Sequence, residues 1–263
     1  MTDYLNAVAE LARLTGDVAM KHFRRGVRVE TKGDGSPVTI ADREAEQAAR
    51  AWIEERFPAD GILGEEFGLV RPEARRRWVI DPIDGTKSFV RGVPLWGSMV
   101  AVCEGETVLA GAVCFPGGDA RELVAAAPGE GCWHDGVRCR VSDVATLDAA
   151  TVLTTDERFL EHPAREASWR RVSHAASVSR TWGDCYGYLL VATGRAELMV
   201  DPRLSPWDAA PIQPIIEEAG GVFTSWAGKR TAFGGDAIAT NAELADEVRR
   251  VLVDAGGPPP TSA

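Results

Sequence analysis

Trp78-Val79-Ile80-Asp81-Pro82-Ile83-Asp84-Gly85-Thr86 is the stretch on which the fold turns. Residues 77–80 form an apolar run typical of a buried strand, and the strand is expected to stop at Asp81. It thereby delivers two carboxylates, three residues apart, where a turn can aim both at one point. Pro82 fixes its own φ and removes an amide donor, which stiffens that turn. Gly85 lets the backbone approach a ligand closely, and the amides that follow can be offered to a phosphate. Taken alone, the pattern equally fits an ordinary Asp-rich turn. Its meaning depends on what else the chain sends to the same place.

Upstream, apolar side chains at positions 5, 8, 9, 12, 18, 19 and 23 share one face of a helix over 3–24. Residues 27–31 alternate as a strand, 32–37 form a turn-rich loop, and a second amphipathic helix covers 42–57. A short strand at 62–63 ends in Gly64-Glu65-Glu66. Downstream, 98–103 and 108–115 pair around Glu104-Gly105-Glu106, and 122–126 adds another strand. Helices followed by mainly antiparallel strands make this an α+β half, expected over 1–143. Over 144–255 the pattern changes to α/β. Strands at 151–154, 196–200, 222–224 and 238–239 alternate with helices at 165–171, 184–193, 208–219 and 242–253. In the 208–219 helix, Pro211 suits a first turn and Pro214 is expected to introduce a kink. The Gly/Pro/Ser-rich stretch 256–263 is expected to be a disordered tail.

Composition narrows the chemistry. The chain has 263 residues and a net charge of -10, which argues against a nucleic-acid binder, since such proteins cluster Lys and Arg. It does not argue against a metal enzyme for anionic substrates, because bound divalent cations invert the local charge. The five cysteines (103, 114, 132, 139, 185) are odd in number with no CxxC spacing, so neither a disulfide nor a zinc site is expected. With no signal peptide and no run of transmembrane length, the expectation is a cytoplasmic protein with no membrane partner.

Other acidic groups lie near turns of the same kind. Asp42 stands at the start of a helix behind Thr39, and Trp207-Asp208 opens another. Both fit helix N-capping, and both fit a metal site. Glu66 reads as a solvated surface charge. Glu65, Asp81, Asp84 and Asp208 read as ligands for a hard cation such as Mg2+, which takes oxygen donors and bridges carboxylates to substrate phosphate. Two such ions about 3.5–4 Å apart would clamp the attacking and leaving oxygens of an in-line displacement.

Gly64-Glu65-Glu66, then Asp81-Pro82-Ile83-Asp84-Gly85-Thr86, then Trp207-Asp208 with Glu217-Glu218-Ala219-Gly220-Gly221 resemble the inositol monophosphatase family. The likeness runs from Ser36-Pro37-Val38-Thr39 to Ala239-Thr240-Asn241. It implies a layered αβαβα sandwich, a homodimer, and hydrolysis of a small phosphate monoester with two or three Mg2+ ions. By position, Glu65 and Asp81 with the Ile83 carbonyl would hold one metal, and Asp81, Asp84 and Asp208 a second. Asp42 would help a third, Thr86 with Glu65 would activate water, and the Gly85 and Thr86 amides would meet phosphate.

Within the family, the run from Gly85 to Trp96 is similar to the histidinol-phosphate phosphatase branch, although its Lys87 also occurs in the nucleotide-phosphatase branch. Asp184 after Gly183, and Asp201 where the family places a Glu, would set two carboxylates beside the ammonium and imidazole of histidinol. Asp184 also fits a helix N-cap, and Asp201 is one methylene shorter than that Glu. Arg91 is a phosphate contact, a partner-subunit contact or a loop charge. The tryptophans read as core or interface, with Trp96 and Trp182 as candidates for the pocket. Inositol 1-phosphate and 3′-phosphoadenosine 5′-phosphate are the alternative substrates. A catalytically silent metal- or phosphate-binding regulator is the alternative of another class.

Overall fold

Period-two burial explains the layering. In the strand Gly97–Glu104 every residue but the last is buried. Val100 and Val102 pack into one apolar cluster with Leu5, Val8, Leu11, Trp52 and Ile53. The alternate residues Met99, Ala101 and Cys103 pack into a second with Leu189, Ile212 and Ile216. A strand whose two faces are both apolar is stable only when both are covered, and helices cover both here.

The computed structural model describes residues 3–33, 35–118, 120–159 and 162–253; the tail expected at 256–263 lies outside them. In chain order the elements are α1 (Asp3–Met20), β1 (Val29–Thr31), β2 (Pro37–Thr39), α2 (Ile40–Arg56), β3 (Gly61–Gly64), β4 (Gly68–Val70), β5 (Arg76–Asp84), α3 (Thr86–Phe89), β6 (Gly97–Glu104), β7 (Thr107–Phe115), β8 (Glu122–Ala127), β9 (Gly131–His134) and β10 (Val137–Arg138). Then follow β11 (Thr151–Thr154), α4 (Pro163–Ala175), β12 (Val178–Arg180), α5 (Asp184–Ala192), β13 (Leu198–Asp201), α6 (Pro206–Glu218), β14 (Val222–Thr224), β15 (Ala237–Thr240) and α7 (Ala245–Val253).

One sheet has eight strands in the order β10-β9-β8-β7-β6-β5-β3-β4, and the other has five in the order β12-β11-β13-β15-β14. The first is antiparallel except where β3 runs parallel to β5. In the second, β11 lies parallel to both β12 and β13. Alternation repeats there: Leu153 and Met199 face α5 and α6, while Val152, Leu198 and Val200 face Trp169 and Val172 of α4 and Leu252 of α7. The order α1/α2, sheet, α5/α6, sheet, α4/α7 is an αβαβα sandwich. Gly111 is what lets α6 lie so close to β7, since a Cβ there would stand 2.3 Å from the Pro211 carbonyl oxygen.

Two local expectations are corrected. β5 does not stop at Asp81 but runs on through Pro82 and Ile83 to Asp84. The ladder shifts register there, Asp81 facing Met99 and Asp84 facing Gly97. Pro82 has no N–H to give the ladder; Ser98 Oγ donates to its carbonyl at 2.7 Å, and the Ile83 N–H turns to Asp81 Oδ1 at 2.9 Å. A bulge at a proline thus continues the strand while re-aiming its carboxylates. α6 begins at Pro206 rather than 208, so Pro206 takes the first turn and Pro211 the second, and the helix continues through Pro214 as one element. Among the described residues no helix is long and apolar enough to cross a membrane.

Candidate active site

Three carboxylates meet where the end of β5 faces the start of α6. One oxygen from each of Asp81, Asp84 and Asp208 lies within 4.8 Å of the others. Each side chain is held by a backbone amide: Asp81 by Ile83, Asp84 by Cys185 in the first turn of α5, and Asp208 by Ser205 at 2.8 Å. Asp208 is not the helix N-cap. It is the third helical residue, and with the N-cap Ser205 it closes a capping box. Capping and pointing into the cluster are therefore compatible.

The cluster is electrostatically loaded. Burial raises Asp81 well above the usual carboxylate range, and the charges of Glu65, Asp84 and Asp208 add to it. Burial, then the Asp208 charge, pushes Asp84 up to about 7. Asp208 is likewise pushed up to about 7 by burial, against the Ser205 N–H that favours its charged form. Like charges crowded out of water hold protons until a cation replaces them. All the donors are oxygen, the set that suits a hard divalent cation.

Asp42 repeats the design of Asp208 on α2. Thr39 is the N-cap and Asp42 the third helical residue of a second capping box. Thr39 donates to Asp42 Oδ2 from both its N–H and its hydroxyl at 2.7 Å. The Thr86 hydroxyl sits 3.5 Å from Asp42 Oδ1 and donates to the Ile83 carbonyl at 3.0 Å. Gly85 before it has φ +87°, and a Cβ would stand 2.8 Å from the Leu95 carbonyl, so only glycine fits this turn.

Glu65 and Glu66 both pair with Lys32, at 2.7 and 2.6 Å. Glu66 is not the solvated charge expected of it: its side chain is 6% exposed, and burial pushes its carboxyl up to about 7. Burial works against the Lys32 ammonium, but its ion pairs with the two glutamates prevail and hold it above its ordinary value. The turn is pinned from below by fully buried Glu46, which accepts the Glu66 and Phe67 amides at 2.7 and 3.2 Å and pairs with Arg50. Gly64 leaves it room, since a Cβ would stand 2.0 Å from Glu46 Oε1. Lys32 and Glu46 were missed in the sequence. The signal for Glu46 was available, four residues after Asp42 on the same face of α2.

A cleft beside the cluster is lined by Asp84, Asp208, Lys87, Asp184, Tyr188 and Asp201. Gly183, not Asp184, caps α5, and Asp184 takes the left-handed region at φ +51°. Its N–H donates to Thr155 Oγ1 at 2.9 Å. Asp201 accepts from the Tyr188 hydroxyl at 2.9 Å and the Thr155 N–H at 3.3 Å. Burial, aided by Asp84, pushes Asp184 up to about 7, and burial does the same to Asp201. Thr155 and Tyr188 carry no sequence signal of this role. Arg91 is exposed and lines none of the clefts around the cluster. Trp96 is fully buried and rings with Phe23 and Phe89, and Trp182 is 43% exposed.

The family model described as the inositol monophosphatase family matches residues 1–255. The chain is similar to a histidinol-phosphatase of Chlorobaculum parvum, at 41% identity over 90% of this chain and 92% of that one. It is similar to a histidinol-phosphatase of Mycobacterium tuberculosis at 38% identity over 84% and 86%. Among solved structures it resembles an inositol monophosphatase from Zymomonas mobilis, with 31% identity, a TM-score of 0.84 and coverage of 94% and 96%.

Proposed function

The chain belongs to the inositol monophosphatase family, and on that premise we propose that it is a Mg2+-dependent phosphomonoesterase that hydrolyses histidinol phosphate to histidinol and phosphate. The observation that carries the reading is the convergence of Asp81, Asp84 and Asp208 within 4.8 Å, beside a cleft walled by Asp184 and Asp201. Those two carboxylates complement an ammonium and an imidazole, and the relatives named histidinol-phosphatase favour the same substrate.

Asp81, Asp84 and Asp208, with Glu65 and the Ile83 carbonyl, would hold two or three Mg2+ ions, Asp42 assisting. Bound Mg2+ lowers the pKa of water and stabilises charge on the leaving oxygen. The Thr86 hydroxyl, set between the Ile83 carbonyl and Asp42 Oδ1, orients the attacking water, and the Glu65 carboxylate receives its proton. Gly85 and Thr86 present backbone amides to the phosphate. Asp184 and Asp201 bind the cationic part of the leaving alcohol. The side chain of Arg91 is exposed and lines none of the clefts, which favours a loop charge or a partner-subunit contact over a phosphate contact. The homodimer and a cytoplasmic location rest on the family resemblance, and size-exclusion chromatography with light scattering tests the first.

Turnover of histidinol phosphate, inositol 1-phosphate and 3′-phosphoadenosine 5′-phosphate in Mg2+, compared side by side, tests the substrate. Histidinol phosphate is expected to be fastest. A tenfold or greater preference for inositol 1-phosphate would overturn that choice, and no turnover of any ester would overturn the enzyme reading.

A further inference from the structure

The eight-stranded sheet ends in the hairpin β9–β10, separated from β5 by β6, β7 and β8. Its register sets Val137 opposite His134 and Arg138 opposite Trp133. One step further, Cys139 stands opposite Cys132, and the Cys139 N–H donates to the Cys132 carbonyl at 3.0 Å. Directly opposed, hydrogen-bonded residues of an antiparallel pair have Cα atoms about 5.5 Å apart, inside the range of about 4.4–6.8 Å that a disulfide spans. The two sulfurs are 3.2 Å apart and both thiols are free. The backbone on the Cys132 side is anchored, since Glu218 accepts the Gly129 and Gly131 amides at 2.8 Å. Bond formation therefore asks for little beyond contraction of the sulfur contact to about 2.05 Å.

We propose that Cys132 and Cys139 form a thiol–disulfide exchange site that is oxidised by a low-molecular-weight disulfide of the glutathione type. The two thiols are unequal in a way that orders the reaction. Cys132 is fully buried, while Cys139 is half-buried. The contact with the Cys132 sulfur holds Cys139 below the ordinary thiol value against burial, and the Arg195 guanidinium helps. The same contact, with burial, raises Cys132. Thiolate character and access together select the attacking sulfur.

The Cys139 thiolate attacks one sulfur of the small disulfide. A Cys139–S–S–R bond forms, the R–S–S–R bond breaks, and the departing thiolate takes up the proton that Cys139 released. Cys132 then loses its proton and attacks the Cys139 sulfur. The Cys132–Cys139 bond forms and a second small thiol leaves with that proton. The protein dithiol is oxidised by two electrons and the small disulfide is reduced to two thiols. The absence of CxxC spacing gave no sign of this pair, because strand pairing brings the two together.

The test is to incubate the full chain with oxidised glutathione, block free thiols with an alkylating agent, and map peptides by mass spectrometry. The expected product is a Cys132–Cys139 cross-linked peptide with no glutathione retained and the three other cysteines reduced. Cys132→Ser is expected to trap glutathione on Cys139, and Cys139→Ser to slow labelling of Cys132 at least tenfold. Wild-type protein that stays reduced, or that keeps glutathione on Cys139, would overturn the site, as would a Cys139→Ser variant labelled as fast as Cys132→Ser. If either variant fails to fold, a quenched time course on the wild type decides instead. A transient glutathione adduct on the Cys139 peptide supports the order of attack, and one on the Cys132 peptide refutes it.

Discussion

The carboxylate cluster and the cleft wall beside it are held by different kinds of contact. In the cluster, Asp81 is bound by an amide two residues away and Asp208 by one three residues away, with Asp84 the exception, held by Cys185 across 101 positions. In the wall, Asp184 is held by Thr155 across 29 positions and Asp201 by the same residue across 46. Short-range bonds form with the element that carries them, so Asp81 and Asp208 are oriented by local turns, while the Asp84 bond and the meeting of β5 with α6 require packing. The wall exists only once β11, α5 and β13 have packed. The cluster is thus suited to chemistry shared across a family, and the wall to choosing among substrates.

That division predicts a gradient of effects. Asp81→Asn strikes the cluster and is expected to lower Mg2+-dependent phosphate release on the order of 10³-fold for every ester alike. Retained turnover would remove Asp81 from the metal site.

The cluster also sets a dependence on pH. Asp84 and Asp208 have folded values raised to about 7 from the ordinary 3.8. For groups raised on folding, the stabilising contribution is complete below the unfolded value and is lost as pH rises through the folded one. Metal-free protein is therefore expected to lose melting temperature between about pH 4 and pH 7. Mg2+ should restore it most at pH 8, where it no longer competes with protons. Thermal unfolding with Mg2+ or with a chelator at pH 6 and pH 8 measures this. An increment from Mg2+ that shrinks with rising pH would contradict the proton-competition picture.

In the wall, Asp184→Asn is expected to raise KM for histidinol phosphate about tenfold, the loss of one charge-assisted contact. KM for an ester of an uncharged alcohol, such as inositol 1-phosphate, should hardly move. Equal effects on both esters would make Asp184 a structural residue. The smallest effect belongs to Tyr188→Phe, which removes one hydrogen bond to Asp201 and should raise KM for histidinol phosphate about fivefold. A fall in kcat shared by both esters would instead place Tyr188 in the support of the cluster.

What could be read in advance follows the same line. Asp81 and Asp84 were legible because an apolar run ends in a stiff turn, and Asp208 because it opens a helix. Even there the continuation of β5 through Pro82 was missed, because the replacement bonds come from Ser98 and from Asp81's own side chain. Glu66 was misjudged because its burial depends on Lys32 and Glu46, 34 and 20 positions away. Thr155 and Tyr188 were invisible, since a Thr after a strand and a Tyr in an apolar helix have common packing explanations.

The sequence motifs implied the layered sandwich through the family they resemble, and by themselves they gave the hard-oxygen character of the cluster. The apolar runs of β6 and β13 need cover on both faces, and the turns beside the cluster offer carboxylate side chains, backbone carbonyls and the Thr86 hydroxyl, all oxygen donors. Only the tertiary structure decided which acids are buried, which hold protons near neutrality, and which pairs of residues, Asp201 with Tyr188 or Cys132 with Cys139, stand in contact. Desolvation and Coulomb repulsion depend on everything brought within a few ångströms in space, and neighbours in space are not neighbours in the chain.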